Sequence, residues 1–185
     1  MASSLSPKTD PKVRFLQRWN EFLADPELLR RPERIEIDVF GHFLMSPPPD
    51  AVHRKQGFRI TALLETLLPG NGAYPEQSIL TSEGIRIADA IWIDPSRLDE
   101  LSRSPNQPLS PAPDICVEIL SPSNTETDID HKRALYFAAG AREVWICDRT
   151  GTIRFFAPQG QLERSTLCPA FPIRIAGVLP HSTPR

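Results

Sequence analysis

A chain of 185 residues, 40% hydrophobic and 24% charged, is long enough for one domain with a real core, and its composition excludes a fibrous or low-complexity sequence. Its formal net charge is −2 and no basic tail is present, so a nucleic-acid partner would need a local patch or metal ions. No apolar run approaches the ~18 residues of a membrane span and no secretory h-region is present, which points to a cytoplasmic protein with no membrane partner.

The first eleven residues are polar, contain two prolines and read as a flexible end. In "VRFLQRWNEFL" (13–23), Val13, Leu16, Asn20 and Leu23 recur at helical spacing, which predicts a short amphipathic helix. "RIEIDVFGHFLMS" (34–46) alternates around a glycine and predicts a β-hairpin. After the breaker "SPPPDAVH", residues 53–69 repeat apolar side chains at Ile60, Leu63, Leu64, Leu67 and Leu68, a helix with one wide apolar face. His53 falls in line with that face and Glu65 points away from it.

"GIRIADAIWID" (84–94) predicts a strand whose inward series is Ile85, Ile87, Asp89, Ile91 and Ile93, so Asp89 stands where the period asks for an aliphatic residue. A connector rich in proline and serine follows, with room for one helical turn at "SRLDEL". The strand of residues 114–120 carries Asp114, Cys116, Glu118 and Leu120 on one face and Ile115, Val117 and Ile119 on the other. Apolar residues on both faces predict a central strand. Ser123 with Glu126, or Thr127 with Asp130, offers a capping box for a helix that stops at Gly140. "REVWICD" and "TIRFFA" read as a hairpin, and a last strand is expected near "FPIRI" (171–175). The expected fold is α/β (α+β), a central mixed sheet flanked by helices. It forms a single domain over 12–176 with flexible ends at 1–11 and 177–185. Cys116, Cys147 and Cys168 have no metal-ligand spacing and read as buried hydrophobes in a reducing compartment.

On a wheel of about 100° per residue, Ile129, Lys132, Leu135, Tyr136 and Ala139 share an arc of about 120°, which turns Lys132 toward the sheet. Asp89, Glu118 and Lys132 are therefore three charges in hydrophobic positions. Singly, each has an ordinary explanation: a capped bend, an internal ion pair, a lysine reaching past Tyr136 to solvent. Three costly burials in one small domain point instead to one shared cause, a functional site. Two carboxylates on neighbouring strands with a lysine suit a hard divalent cation and the hydrolysis of a phosphodiester. No G-x-S-x-G elbow, phosphate-binding glycine loop or zinc spacing offers a competing chemistry.

The strings "RIADAIWI", "PAPDICVEILSPSN" and "KRALYFAAGAREVWICD", in that order, resemble the Uma-type family of restriction-endonuclease-like proteins, part of the PD-(D/E)xK nuclease superfamily. The similarity runs over about residues 13–175 and includes "SPPPDAVH". It implies a restriction-endonuclease-like core and a metal-dependent endonuclease acting on nucleic acid, most simply DNA, with Mg²⁺ or Mn²⁺ as cofactor. It makes Asp89 the motif aspartate, with alanine in place of the usual preceding proline, and Glu118 the acidic residue of the second half-motif. Leu120 occupies the superfamily's lysine position, and Lys132 takes over that role from the next helix.

The expected metal ligands are Asp89, Glu118 and the backbone carbonyl of Ile119. His53, Ser121 and Tyr136 are supporting candidates. Asp114 lies ~13 Å from Glu118 along the same strand face, too far to share one metal, and reads as a strand-start residue with at most a supporting role. Double-strand cutting needs two sites, which points to a homodimer. The competing class is a binding or scaffold protein that keeps the nuclease fold without useful catalysis, which the acidic net charge favours.

Overall fold

The structure, a computed structural model, describes residues 10–99, 106–122 and 124–175. Helix α1 (Pro11–Ala24) starts where Asp10 accepts the amide of Lys12 and Pro11 supplies a preset φ. A one-turn helix α2 (Pro26–Leu29), capped by Asp25, follows; it was not anticipated. The hairpin forms as β1 (Arg34–Ile37) and β2 (Phe43–Ser46). Helix α3 (Ala51–Leu67) begins two residues before the expected start because Asp50 caps it through the amide of His53. Strands β3 (Ala73–Thr81), β4 (Gly84–Trp92) and β5 (Ile115–Ile119) precede helix α4 (Glu126–Ala138), and β6 (Glu143–Cys147), β7 (Ile153–Ala157) and β8 (Gly160–Leu162) complete the chain order.

The eight strands form one mixed sheet in the order β2-β1-β4-β5-β6-β7-β8, with β3 paired to β4. Among the paired strands of the described residues only β5 and β6 run parallel, joined by the crossover helix α4. Helix α3 packs Ile60 and Leu64 on a cluster with Ala90, Trp92, Ile115, Val117, Ile119 and Trp145. Helix α4 packs Ile129 and Tyr136 on Ile91, Cys116, Val144 and Ile146, so β5 is covered on both faces as its sequence predicts. Helix α1 covers Ile37, Leu80 and Ile85 with Phe15 and Trp19. The expected fold class is the observed one.

Several local expectations change. The cap of α4 is Thr125, boxed with Asp128, in place of the pair Thr127 and Asp130; the alternative start at Ser123 lies outside the described residues. So do residues 1–9 of the expected flexible N-terminal end, all of the C-terminal one, and the last two residues of the "SRLDEL" turn, whose start falls in a 3₁₀ turn at Pro95–Arg97. Residues 171–175 form no strand, only a single bridge between Thr152 and Arg174. Two backbone hydrogen bonds, from the Ile153 amide to the Ile173 carbonyl and from the Ile175 amide to the Gly151 carbonyl, act with packing to hold this segment: Phe171 is buried 4.6 Å, ring to ring, from Trp145, and Cys168 and Ile175 join the same cluster. A buried carboxylate, Glu143, anchors the preceding loop. It accepts from Trp145 Nε1, Ser165 Oγ, the Thr166 amide and hydroxyl, and the Leu167 amide. All three cysteines are buried and free, and no helix among the described residues is long and apolar enough to cross a membrane.

One feature of the sheet positions the site. Strand β4 has β3 along one edge, while its other edge is shared: β1 pairs at Ile85 and β5 pairs only from Ala90 to Trp92. Gly84 lets β1 come this close, since a Cβ there would sit 2.0 Å from the carbonyl oxygen of Ile37. Between the two partners the ladder is open. The inward series expected for β4 also breaks there, because Ala88 and Ile91 face one cluster while Ala90 and Trp92 face the other. The break at Asp89 lies opposite Glu76, whose φ of 40° is a left-handed conformation rare for a non-glycine residue.

Candidate active site

Asp89 stands in the opening between β4 and β5. The backbone N–H of Ile119, beyond the last β4–β5 pair, donates to Asp89 Oδ2 at 2.6 Å, so a side chain replaces the missing strand partner. His53 Nε2 from α3 lies 3.2 Å from the same oxygen. Arg34 Nη1 from β1 lies 2.6 Å from Oδ1, yet without hydrogen-bond alignment, so Oδ1 is buried and ion-paired but not hydrogen-bonded. Burial alone would push the Asp89 carboxyl up. The hydrogen bond from His53 and the charge of Arg34 outweigh it and bring the pKa down to about 2.

Glu118, only 4% exposed, faces α4. Tyr136 Oη donates to its Oε1 at 2.6 Å and Lys132 Nζ donates to its Oε2 at 3.3 Å. The same ammonium donates to Glu36 Oε1 at 2.9 Å. Burial raises the Glu118 pKa to about 7, Lys132 pulling against it and Asp89 adding to it. Burial would lower the Lys132 pKa, but Glu118 and Glu36 raise it, so the lysine stays charged. One buried carboxylate is thus firmly ionised and its neighbour sits near neutrality, a division that environment alone has produced.

A cleft of about 210 Å³ is lined by Asp89, Glu118, Ile119 and Lys132, with Arg34 and Glu36 on its β1 side. Because the Leu120 amide donates to Cys147 of β6 while the Ile119 amide donates to Asp89, the Ile119 carbonyl points to the Asp89 side as well. Six residues named from the sequence therefore meet here: Asp89, Glu118, Lys132, Ile119, His53 and Tyr136. Ser121 lines the cleft in a turn where its amide and hydroxyl both donate to Asn124 Oδ1.

Asp114 does not join them. It accepts the Asp94 amide and pairs with Arg97 and Arg142 at the opposite end of β5, a strand-start anchor. Glu65 accepts the Ala73 amide instead of facing the cleft. Two participants escaped the sequence reading, Arg34 and Glu36. Their only signal was alternation with Ile35 and Ile37, which a solvent-facing hairpin also shows. Among the described residues no three His, Cys, Asp or Glu side chains form a ready metal cluster. The carboxylate pair would need main-chain oxygen and water to complete a coordination shell.

A family model described as "Uma2: Putative restriction endonuclease" matches residues 19–173. The chain belongs to the Uma2 family. The matched span contains every Uma2 residue named in the cleft, from Arg34 to Tyr136. Among solved structures, a crystal structure of "a putative nuclease belonging to DUF820" from Anabaena variabilis ATCC 29413 superposes with a TM-score of 0.64. It covers 84% of this chain and 93% of its own at 18% identity, which shows a shared fold. No curated protein matches this Uma2 chain.

Proposed function

We propose that this protein is a metal-dependent endonuclease that hydrolyses phosphodiester bonds of nucleic acid. The observation that carries this reading is the convergence of Asp89, Glu118 and Lys132 at one opening between strands, where the sheet leaves backbone and carboxylate oxygens together. The donors fit a hard cation such as Mg²⁺ or Mn²⁺. The set is all oxygen, Asp89 Oδ1 lacks a hydrogen bond, and a Glu118 carboxyl near neutrality gains from a nearby positive charge. Asp89, Glu118 and the Ile119 carbonyl would hold the ion, which when bound supplies Lewis-acid charge and a more acidic water.

The remaining chemistry belongs to the chain. Lys132, held between Glu36 and Glu118, presents a fixed ammonium that orients the attacking water and offsets negative charge growing on the phosphate. Tyr136 fixes the Glu118 carboxylate through Oε1, and His53 fixes Asp89. The family description and the name of the structural neighbour both support a nuclease. The buried free thiols suit a cytoplasmic setting, and a homodimer would present two such clefts to a nucleic acid.

One observation favours a second reading, a nuclease fold kept for binding. Both carboxylates already have protein cations, Arg34 and His53 on Asp89 and Lys132 on Glu118. Calorimetric titration of wild type and Glu118→Gln with Mg²⁺ and Mn²⁺, beside cleavage assays on DNA and RNA, separates the two. Metal binding lost in the variant together with metal-dependent cutting by wild type supports the nuclease. A wild type that binds no metal and cuts nothing supports the binding fold.

A further inference from the structure

Helix α3 presents a second face, turned from its core side toward a cavity of about 700 Å³. His53 and Asp89 line both this cavity and the ion-paired cleft, so the two spaces adjoin. The cavity wall is apolar around Gly57, Phe58, Ala62 and Pro75. Phe58 is 75% exposed, a large aromatic ring with little protein over it.

Gly57 is a second anomaly. Glycine inside a helix weakens it relative to alanine, and here packing does not require it. An added Cβ would find only Ile119 Cδ1, at an ordinary contact distance of 3.6 Å. The missing side chain keeps space in the cavity. Thr61, also on the wall, has a buried hydroxyl oxygen without a hydrogen-bond partner.

Charge completes the pattern. Over Ala51–Leu67, α3 carries Arg54, Lys55 and Arg59 against one carboxylate, Glu65, in a chain of net charge −2; Arg54 lies on the cavity wall, where it donates to the Pro49 carbonyl. Three carboxylates line the cavity and each is engaged: Glu65, near the end of α3, accepts the Ala73 amide, Glu76 pairs with Arg34, and Asp89 pairs with Arg34 and His53. An exposed aromatic one helical turn from Arg54, beside a phosphodiester-sized site, is an arrangement that holds single strands by stacking and phosphate contact. A duplex offers no free base face to Phe58.

We propose that this face binds an unpaired stretch of nucleic acid. One base stacks on Phe58 within the cavity, Arg54 and Lys55 hold flanking phosphates, and the adjoining phosphodiester is led to Asp89 and Glu118. The proposal rests on the nuclease reading and narrows its substrate to single-stranded or locally unpaired nucleic acid.

The test is fluorescence anisotropy with a labelled oligothymidylate and with a duplex, in EDTA so that nothing is cut, across a salt series. Phe58→Ala, at an exposed position, should weaken single-strand binding about tenfold or more, as loss of one stacked base does, and leave the salt dependence unchanged. Gly57→Leu, which fills the cavity, should lose a similar factor. Arg54→Gln should flatten the slope of log affinity against log salt by about 0.7, one phosphate contact. Equal single-strand affinity in wild type and Phe58→Ala, or an equal loss on the duplex, overturns the proposal, as does a wild type that binds no single strand. Parallel cleavage assays keep the two readings apart. Phe58-dependent binding without cleavage in any metal preserves this site and removes the nuclease. Duplex cleavage indifferent to Phe58→Ala preserves the nuclease and removes this site.

Discussion

Glu118→Gln should stabilise the metal-free protein at pH 8 and leave it unchanged at pH 4. Burial places the Glu118 carboxyl at about 7 in the fold, against 4.5 for an ordinary glutamate. Because the folded value is the higher one, the native state holds a proton that the unfolded chain releases between those values. Stability therefore falls as pH rises through this window and stays low above it. The gap corresponds to about 3 kcal/mol. Glutamine avoids that loss, since its oxygen can still accept from Tyr136 and Lys132 keeps Glu36 as its partner. The difference between variant and wild type should grow from near zero at pH 4 to about 3 kcal/mol at pH 8. That corresponds to roughly 6–12 °C in Tm for a chain of this size. Urea and thermal melts in EDTA at the two pH values measure it. A variant clearly less stable than wild type at pH 8 would show that the pair with Lys132 outweighs the desolvation of Glu118, and the reasoning would be refuted.

Other perturbations should separate the charges of the cleft. Removing one buried charge with Lys132→Met would by itself leave folding intact or improved, but two buried carboxylates share this lysine. The variant should lose about 2–4 kcal/mol at pH 8 and less at pH 6, where Glu118 takes up a proton, as denaturant melts will report. Its metal affinity should persist while cleavage falls by orders of magnitude, so unchanged cleavage would remove Lys132 from the mechanism. Asp89→Asn should abolish calorimetric metal binding, whereas Asp114→Asn should leave it intact and cost about 1–3 kcal/mol of stability through Arg97 and the Asp94 amide. Glu143→Ala should cost about 3 kcal/mol, visible in melts and in Trp145 fluorescence, because it strands a buried donor set. Burial pushes the Glu143 carboxyl up, but the donors from Ser165, Thr166 and Trp145 hold it below the usual range. Its stabilisation is thus present above that range and lost as pH falls through the lower folded value, so acid melts of wild type and variant should converge.

The residues that could be read from the sequence are those that break a period. Glu118 and Lys132 interrupt well-formed strand and helix patterns, and both are buried against each other as the pattern asks. Asp89 was found by the same logic, although its strand does not keep one inward face through that position. What escaped was either too short or too irregular. Strand β8 has three residues. Strand β3 contains Pro75 and the left-handed Glu76, features that argue against a strand until the bend at Asp89 is known. Arg34 and Glu36 could not be recognised because an alternating charged face is also what water would demand. Only the split edge of β4, a tertiary arrangement, encloses them. Residues 171–175 show the opposite error: Phe171 and Ile175 pack in the core, while the pairing with residues 151–153, one bridge with two backbone hydrogen bonds, is too short to make a strand.

The segment around Phe171 also bears on how the protein is made. Phe171 and Ile175 fill the cluster that includes Trp145 and Ile119, yet a ribosome delivers them after every strand of the sheet. Until they emerge, the rings of Trp145 and Phe155 lack their packing partner, and the scaffold beneath the cleft stays incomplete. The nascent chain can assemble helices and hairpins earlier, but its cooperative collapse must wait for translation to pass Ile175. During that interval the open aromatic cluster is the surface a chaperone would hold.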